Sequence, residues 1–142
     1  MARARIVDAD GVAAVRATLE TGPNGGTSDR ATLGKAVRYT LQLLADRAPG
    51  FSVEVRVPPF AAVQAIPGPV HRRGTPAAVV ETDAETWLAL ATGGTTWAQA
   101  RAAGRIRASG ERADLTDWLP LIQPDDPSHR TEGLPAPTRP WA

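Results

Sequence analysis

Cysteine is absent from this chain, and methionine occurs once, as Met1. The first absence removes disulfides, a thiol nucleophile and any thiolate metal site, and it fits a reducing compartment. Histidine is almost as scarce. His71 and His129 stand far apart, and no His-Glu-x-x-His or related spacing exists to hold zinc or iron. Lys35 is the single lysine among 16 Lys and Arg residues, which face 15 Asp and Glu residues for a formal charge of +1. A nucleic-acid surface normally needs a marked basic excess, so no nucleic-acid partner is expected. Long apolar runs are missing as well. No segment approaches the roughly 20 residues of a membrane-spanning helix, and stable membrane insertion is not expected. The N-terminal MARARIVDADGVAAV has no continuous apolar core of the signal-peptide kind. The expectation is a soluble, cytoplasmic chain.

Catalytic patterns are equally thin. TGPNGG and ATGGTT are glycine-containing turns without the lysine and spacing of a phosphate-binding loop or the dinucleotide fingerprint. Ser109, in RASGER, has Arg107 and Glu111 where a nucleophile elbow needs glycine. Pairing it with His71 has no spacing to support it. The acidic stretches DAD and ETDAE fall at helix starts, where Asp caps free N–H groups and meets the positive end of the helix dipole. No enzyme activity and no cofactor are expected.

What is present is an ordinary globular composition, 42% hydrophobic and 22% charged over 142 residues, enough for one domain with a modest core. Asp10 can cap a short helix over 11–20 with Val12, Val15 and Leu19 on one side. TGPNGGTSD reads as a flexible link. Residues 30–48 carry the longest helical pattern, with Leu33, Val37, Leu41, Leu44 and Ala48 recurring at three- and four-residue spacing. Pro49-Gly50 ends it.

The stretch VEVRVPPFAAVQAI, 53–66, looks like two strands joined at Pro58-Pro59. Val53, Val55 and Val57 alternate with Glu54 and Arg56, a half-covered pattern. Further strands are expected over 77–82 and 105–110, with 67–76 a loop. Helices are expected over 84–92 and 97–103, the second opened by a Thr96–Gln99 capping box. A last helix over 112–119 would bury Leu115, Trp118 and Leu119. Strands grouped before helices, and alternation rather than continuous apolarity, point to an α+β arrangement with helices on one face of an antiparallel sheet. From Pro124 onward the chain is proline-rich and reads as irregular. The expected plan is an N-terminal helix and link over 1–29, a domain over 30–121 and a tail over 122–142.

Residues 83–119, DAETWLALATGGTTWAQARAAGRIRASGERADLTDWL, resemble the SCP2-like (sterol carrier protein 2) family. The likeness rests on Asp83, Trp87, Leu90, Gly93, Trp97, Ala100, Gly104, Ile106, Ala108 and Gly110, followed by Leu115 and Leu119. The upstream half, from Ser52 to Asp83, looks like the version in a group of actinobacterial sterol carrier proteins. The resemblance implies a five-stranded, mainly antiparallel sheet with helices packed on one face. It also implies non-catalytic binding or transfer of a lipid, such as a fatty acid, acyl-CoA or sterol, in an apolar tunnel between the layers. Some enzymes carry such a domain, but their catalytic metal belongs to a separate part that this chain does not match.

On that reading α-helical Leu33, Val37 and Leu41 face Val53, Val55, Phe60 and Val63 across the tunnel. Val79, Trp87, Leu90, Trp97 and Leu119 complete the lining, with Arg72 and Arg73 as head-group contacts and Trp141 as an anchor for a covering tail. Gln64, if it faces inward, needs a partner, either a ligand's polar head or backbone. The tryptophans are core or ligand wall. The alanines along 61–65 and 77–78 either widen a cavity or let the layers close up. The rival expectation is the same fold without an open tunnel, serving as a protein-interaction or scaffold module, with a homodimer as one form of it.

Overall fold

The computed structural model describes residues 4–21, 29–70, 78–110 and 113–123. Arg72, Arg73, His71 and Trp141 lie outside these residues. Side-chain caps set the helix starts. Asp29 accepts the Thr32 N–H at 2.8 Å and opens α2 (Arg30–Arg47). Asp83 accepts the Thr86 N–H at 2.7 Å and opens α3 (Ala84–Thr92), which Gly93 closes with φ 86°. Thr96 and Gln99 satisfy each other's backbone N–H groups and open α4 (Trp97–Ala102). Each such cap is worth about 1 kcal/mol. An earlier helix, α1 (Asp8–Thr21), precedes them.

Among the described residues the sheet has four strands: β1 (Val53–Val57), β2 (Ala61–Ala65), β3 (Ala78–Thr82) and β4 (Ile106–Ser109), in the order β2-β1-β3-β4. β1 is antiparallel to β2, parallel to β3, and β3 is antiparallel to β4. This corrects the expected five-stranded, mainly antiparallel sheet: it is four-stranded and mixed. The sequence offers four alternating runs, and a fifth rested on resemblance alone. The parallel pair arises because β2 turns back through the Val57–Phe60 turn, closed by the Phe60 N–H on the Val57 carbonyl at 2.9 Å. Ile66 after β2 and Ala78 at the start of β3 both bond Ser52, so β3 begins beside the start of β1, on the edge away from β2, and runs in the direction of β1.

Register sorts the side chains by face. Val55 lies between Val63 and Val80, and Ala108 lies beyond Val80. One residue along, Glu54 lies between Gln64 and Val79, with Ser109 beyond, and Arg56 between Ala62 and Glu81, with Arg107 beyond. Helix α2 packs on β2 and α3, and α4 on β4, covering the valine face. On the other face Arg56, Ala62, Gln64, Arg107 and Ser109 are exposed. The expected helix over 112–119 is a single 3-10 turn, Thr116–Trp118. Asp114 accepts the Thr116 N–H at 2.8 Å, a local bond that competes with helix, and Pro120 has no donor to extend one. Beyond it the Leu121 and Ile122 N–H groups both reach the Ala91 carbonyl, at 2.8 and 3.1 Å, and tie this segment to the end of α3.

Where the three segments cross, buried Ser52 joins them. Its N–H donates to the Ile66 carbonyl at 3.1 Å, its carbonyl accepts from Ala78 at 3.0 Å, and its hydroxyl donates to Ile66 again at 2.8 Å. Ile66 sits at φ 72°, a left-handed conformation that is a genuine outlier for a β-branched residue. Its own N–H bonds the Ala48 carbonyl at the end of α2. Gly50, at φ 157°, passes so close that a Cβ would run into the Ile66 carbonyl.

Helix α1 packs against α2. Gly11 rests on the Tyr39 ring, where a Cβ would collide with ring carbons. The Tyr39 hydroxyl donates to Asp8 at 2.8 Å, and Gln42 bonds both the N–H and the carbonyl of Ile6, at 3.0 and 2.9 Å. Arg5 grips Asp46 through two bonds, 3.0 and 2.6 Å, although both side chains are exposed and water screens the pair. Val12 and Val15 are buried as expected, whereas Leu19 is 42% exposed.

Gly50→Ala is expected to lower stability by about 2 kcal/mol or more, through clash and backbone strain. Ser52→Ala, which keeps the backbone bonds, should cost about 1 kcal/mol. Urea midpoints for the two variants check this order, and equal midpoints would refute the clasp. Burial, and then the bond to Asp8, raises the Tyr39 pKa above its ordinary value. The neutral phenol's contribution is therefore intact below about pH 10, the unfolded chain's value, and lost as pH rises further. Tyr39→Phe should flatten the fall in urea midpoint above that pH.

Candidate functional site

The layer between sheet and helices starts from alternation: Val53, Val55 and Val57 point at the apolar stripe of α2. Val37, Leu41, Val53, Val55, Trp87 and Leu90, all from the expected lining, meet here and are between 0% and 2% exposed. Trp87 fills the middle. Its indole N–H donates to the Thr40 hydroxyl at 2.8 Å, and that hydroxyl donates back to the Ala36 carbonyl at 2.8 Å. The one polar atom of the indole is thus satisfied inside the layer, and burying it carries no unpaired-donor penalty.

Toward the β2 edge the packing is less complete. Leu33 on α2, and Phe60, Ala61 and Val63 on the hairpin, are partly buried against the core. Gly34 allows the close approach: a Cβ there would stand 3.1 Å from Phe60 Cδ1 and 3.1 Å from Arg38 Nη1. Arg30 lies over the same ring, its Cζ 5.2 Å from the centroid. At the opposite edge Trp97 is 7% exposed and lines a cleft of about 410 Å³ with Ala108, Ala113, Arg101 and Asp114. Leu119 is partly buried after the 3-10 turn. Two further clefts, of about 340 and 310 Å³, lie between α3 and α4 and between α1 and α2. None of these three clefts opens between Val55 and Trp87.

Two expected lining residues do not join the others. Register places Gln64 and Val79 on the sheet face away from the helices, as neighbours of Glu54. Gln64 is exposed and meets water, so the question of its inward partner disappears. The cause is strand parity, since side chains one residue apart point to opposite faces. Ser109 is on that outer face too. Among the described residues no group of three or more His, Cys, Asp or Glu side chains is placed to hold a metal. No helix among them is long and apolar enough to cross a membrane.

The helix α2, the four strands, α3, α4 and the 3-10 turn all fall within residues 29–121, and those residues match the Bacterial SCP ortholog family. The chain belongs to that family. Membership supports a general lipid-binding or lipid-transfer role, and SCP2-like domains of this kind are non-catalytic. No curated protein matches the chain. Helix α1 precedes the SCP-matched region, yet Asp8 and Gly11 on it, and Arg5 and Ile6 just before it, contact Tyr39, Gln42 and Asp46 of α2.

Sequence reasoning passed over several residues that the SCP domain depends on. Tyr39 and Thr40 sit within the predicted helix but off its leucine stripe, and both are fully buried. Leu121 and Ile122, also fully buried, follow Pro120, where the helical pattern stops. Arg30, Gly34 and Arg38 recur every fourth residue, which is a visible one-face signal, although nothing in the pattern ties them to Phe60.

Thr40→Val keeps the shape and removes the acceptor of the Trp87 N–H. It should cost about 1–3 kcal/mol for the unsatisfied buried donor. Thermal unfolding, with tryptophan emission as a second readout, checks it. Unchanged stability would mean that the indole has another acceptor and that water reaches the layer.

Proposed function

We propose that the protein binds an apolar chain, of a fatty acid, acyl-CoA or sterol-like molecule, and transfers it without chemical change. The observation that carries this reading is the seam at the β2 edge. There Leu33, Phe60, Ala61 and Val63 remain partly buried beside a layer whose centre is apolar and closed. An incoming chain would enter along this seam and lie against the valine face. A sixteen-carbon chain gains on the order of 10 kcal/mol gross, at about 0.8 kcal/mol per buried CH₂. Association costs consume several kcal/mol of this, so useful affinity needs most of the chain covered. Moving partly buried side chains at the seam is far less costly than displacing Trp87, whose loss from a packed layer is a matter of about 3–5 kcal/mol.

A second reading has its own support. Trp87, Leu41 and Val55 fill the layer, which favours the fold as an interaction module without a tunnel, meeting a protein partner or a second copy of this chain.

Native mass spectrometry of the protein with palmitate, palmitoyl-CoA and cholesterol separates the two. The lipid reading expects one ligand per chain, and Ala61→Trp, which plugs the seam, should weaken binding by about tenfold or more, or roughly 1.4 kcal/mol. Unliganded mass with all three ligands would transfer the assignment to the interaction module.

A further inference from the structure

Arg38 carries the one buried side-chain polar atom among the described residues that lacks a hydrogen-bond partner, its Nε. Such an atom costs free energy unless something satisfies it. Its surroundings are specific. The guanidinium leans back one helical turn over Gly34, as long helical side chains do, where Phe60 also packs: a Cβ on Gly34 would stand 3.1 Å from both Arg38 Nη1 and Phe60 Cδ1. Arg30 lays its guanidinium over the same ring, its Cζ 5.2 Å from the centroid. Two cations thus share the Gly34–Phe60 surface at the mouth of the apolar seam.

Neither cation is neutralised there. Arg5, Arg56 and Arg105 all have carboxylate partners, at 2.6, 2.7 and 3.2 Å, whereas Arg30 and Arg38 have no ion pair among the described residues. The acid next to Arg30, Asp29, directs both oxygens to Thr32, at 2.8 Å each. The N-terminal end of α2 adds its positive dipole end to the same region. A compact anion is the complement of this arrangement, because guanidinium forks bind carboxylate and phosphate oxygens and an anion can supply the acceptor that Arg38 Nε lacks.

We infer that Arg30, over Phe60, and Arg38, over Gly34, bind the carboxylate or phosphate head of an amphiphile whose chain lies along Leu33, Phe60 and Val63. The ligand class is therefore an anionic amphiphile rather than a neutral sterol or alcohol. This rests on the lipid-binding reading for the chain, but the anion site stands on its own geometry.

Calorimetric titration of the full chain with hexadecyl phosphate, palmitate, hexadecanol and inorganic phosphate tests both parts. NMR of the arginine Nε–H signals reports on Arg38 directly. Hexadecyl phosphate or palmitate should bind at least about tenfold tighter than hexadecanol and shift the Arg38 Nε–H signal. Arg38→Gln and the exposed Arg30→Gln should each reduce that preference and leave hexadecanol affinity unchanged. Equal affinity for charged and neutral chains, or a preference that survives both substitutions, would overturn the head-group site and leave the lipid reading intact. A shift of Arg38 with inorganic phosphate, but no binding of any long chain, would keep the anion site, assign it to a free anion, and remove the lipid reading. No response to any of the four probes would overturn both.

Discussion

Ser52 holds three pieces of chain that are far apart in sequence: the start of β1, the end of β2 and the start of β3. Its buried hydroxyl doubles the bond to Ile66, a residue whose left-handed backbone needs that support, since such a conformation costs on the order of 1–3 kcal/mol. Ile66 in turn bonds the last turn of α2 through Ala48, so the clasp fixes the helix against the sheet as well. Gly50 makes the crossing sterically possible. With the crossing set, β2 and β3 flank β1, the sheet is mixed, and Val53 and Val55 meet Ala or Val on both sides.

That register has a direct consequence for binding. The inner rows are mostly Val and Ala, with the buried pair Thr82–Ile106 at one end, and the helices α2 and α3 supply the larger side chains of the layer. Trp87 is the largest of them, anchored through Thr40 to the backbone of α2. A satisfied indole in a dry layer is a strong lock. The less tightly held apolar groups are displaced to the β2 edge, where one glycine lets Phe60 approach the helix. Among the described residues, the apolar seam and two arginines without an ion pair therefore coincide at the same edge, around Gly34.

Helix α1 lies outside the family-matched residues but is not a loose appendage. Its Gly11 rests on Tyr39 and its Asp8 accepts from the Tyr39 hydroxyl, Arg5 and Ile6 just before it add four hydrogen bonds to Asp46 and Gln42, and it buries Val12 and Val15. The long helix is consequently sandwiched, with the sheet on one side and α1 on the other. Rigid support on both sides fits a helix that has to hold two charged side chains close to one ring.

Much of this was legible in one dimension. The caps Asp29, Asp83 and Thr96, the glycine stop at Gly93, and the alternation of Val53, Val55 and Val57 with Glu54 and Arg56 depend on neighbours within a few residues. The sequence by itself therefore determined α2, α3 and α4, the strand runs, the two faces of β1 and the SCP likeness, but not the end of the domain, where a 3-10 turn replaces the expected helix. Local rules cannot count strands that pair across a fold, which is why the mixed four-stranded sheet needed the tertiary structure. They also cannot assign parity across a turn. Val79 and Gln64 look like apolar and polar members of one lining until pairing with Glu54 puts both on the outer face. Only the tertiary structure decided that Ser52 is a junction, that Trp87 closes the layer, and that Arg30 and Arg38 come to the place where Phe60 packs on Gly34. Each of these is a contact between segments whose approach is set by the crossing of β1, β2 and β3 rather than by any residue's own preference.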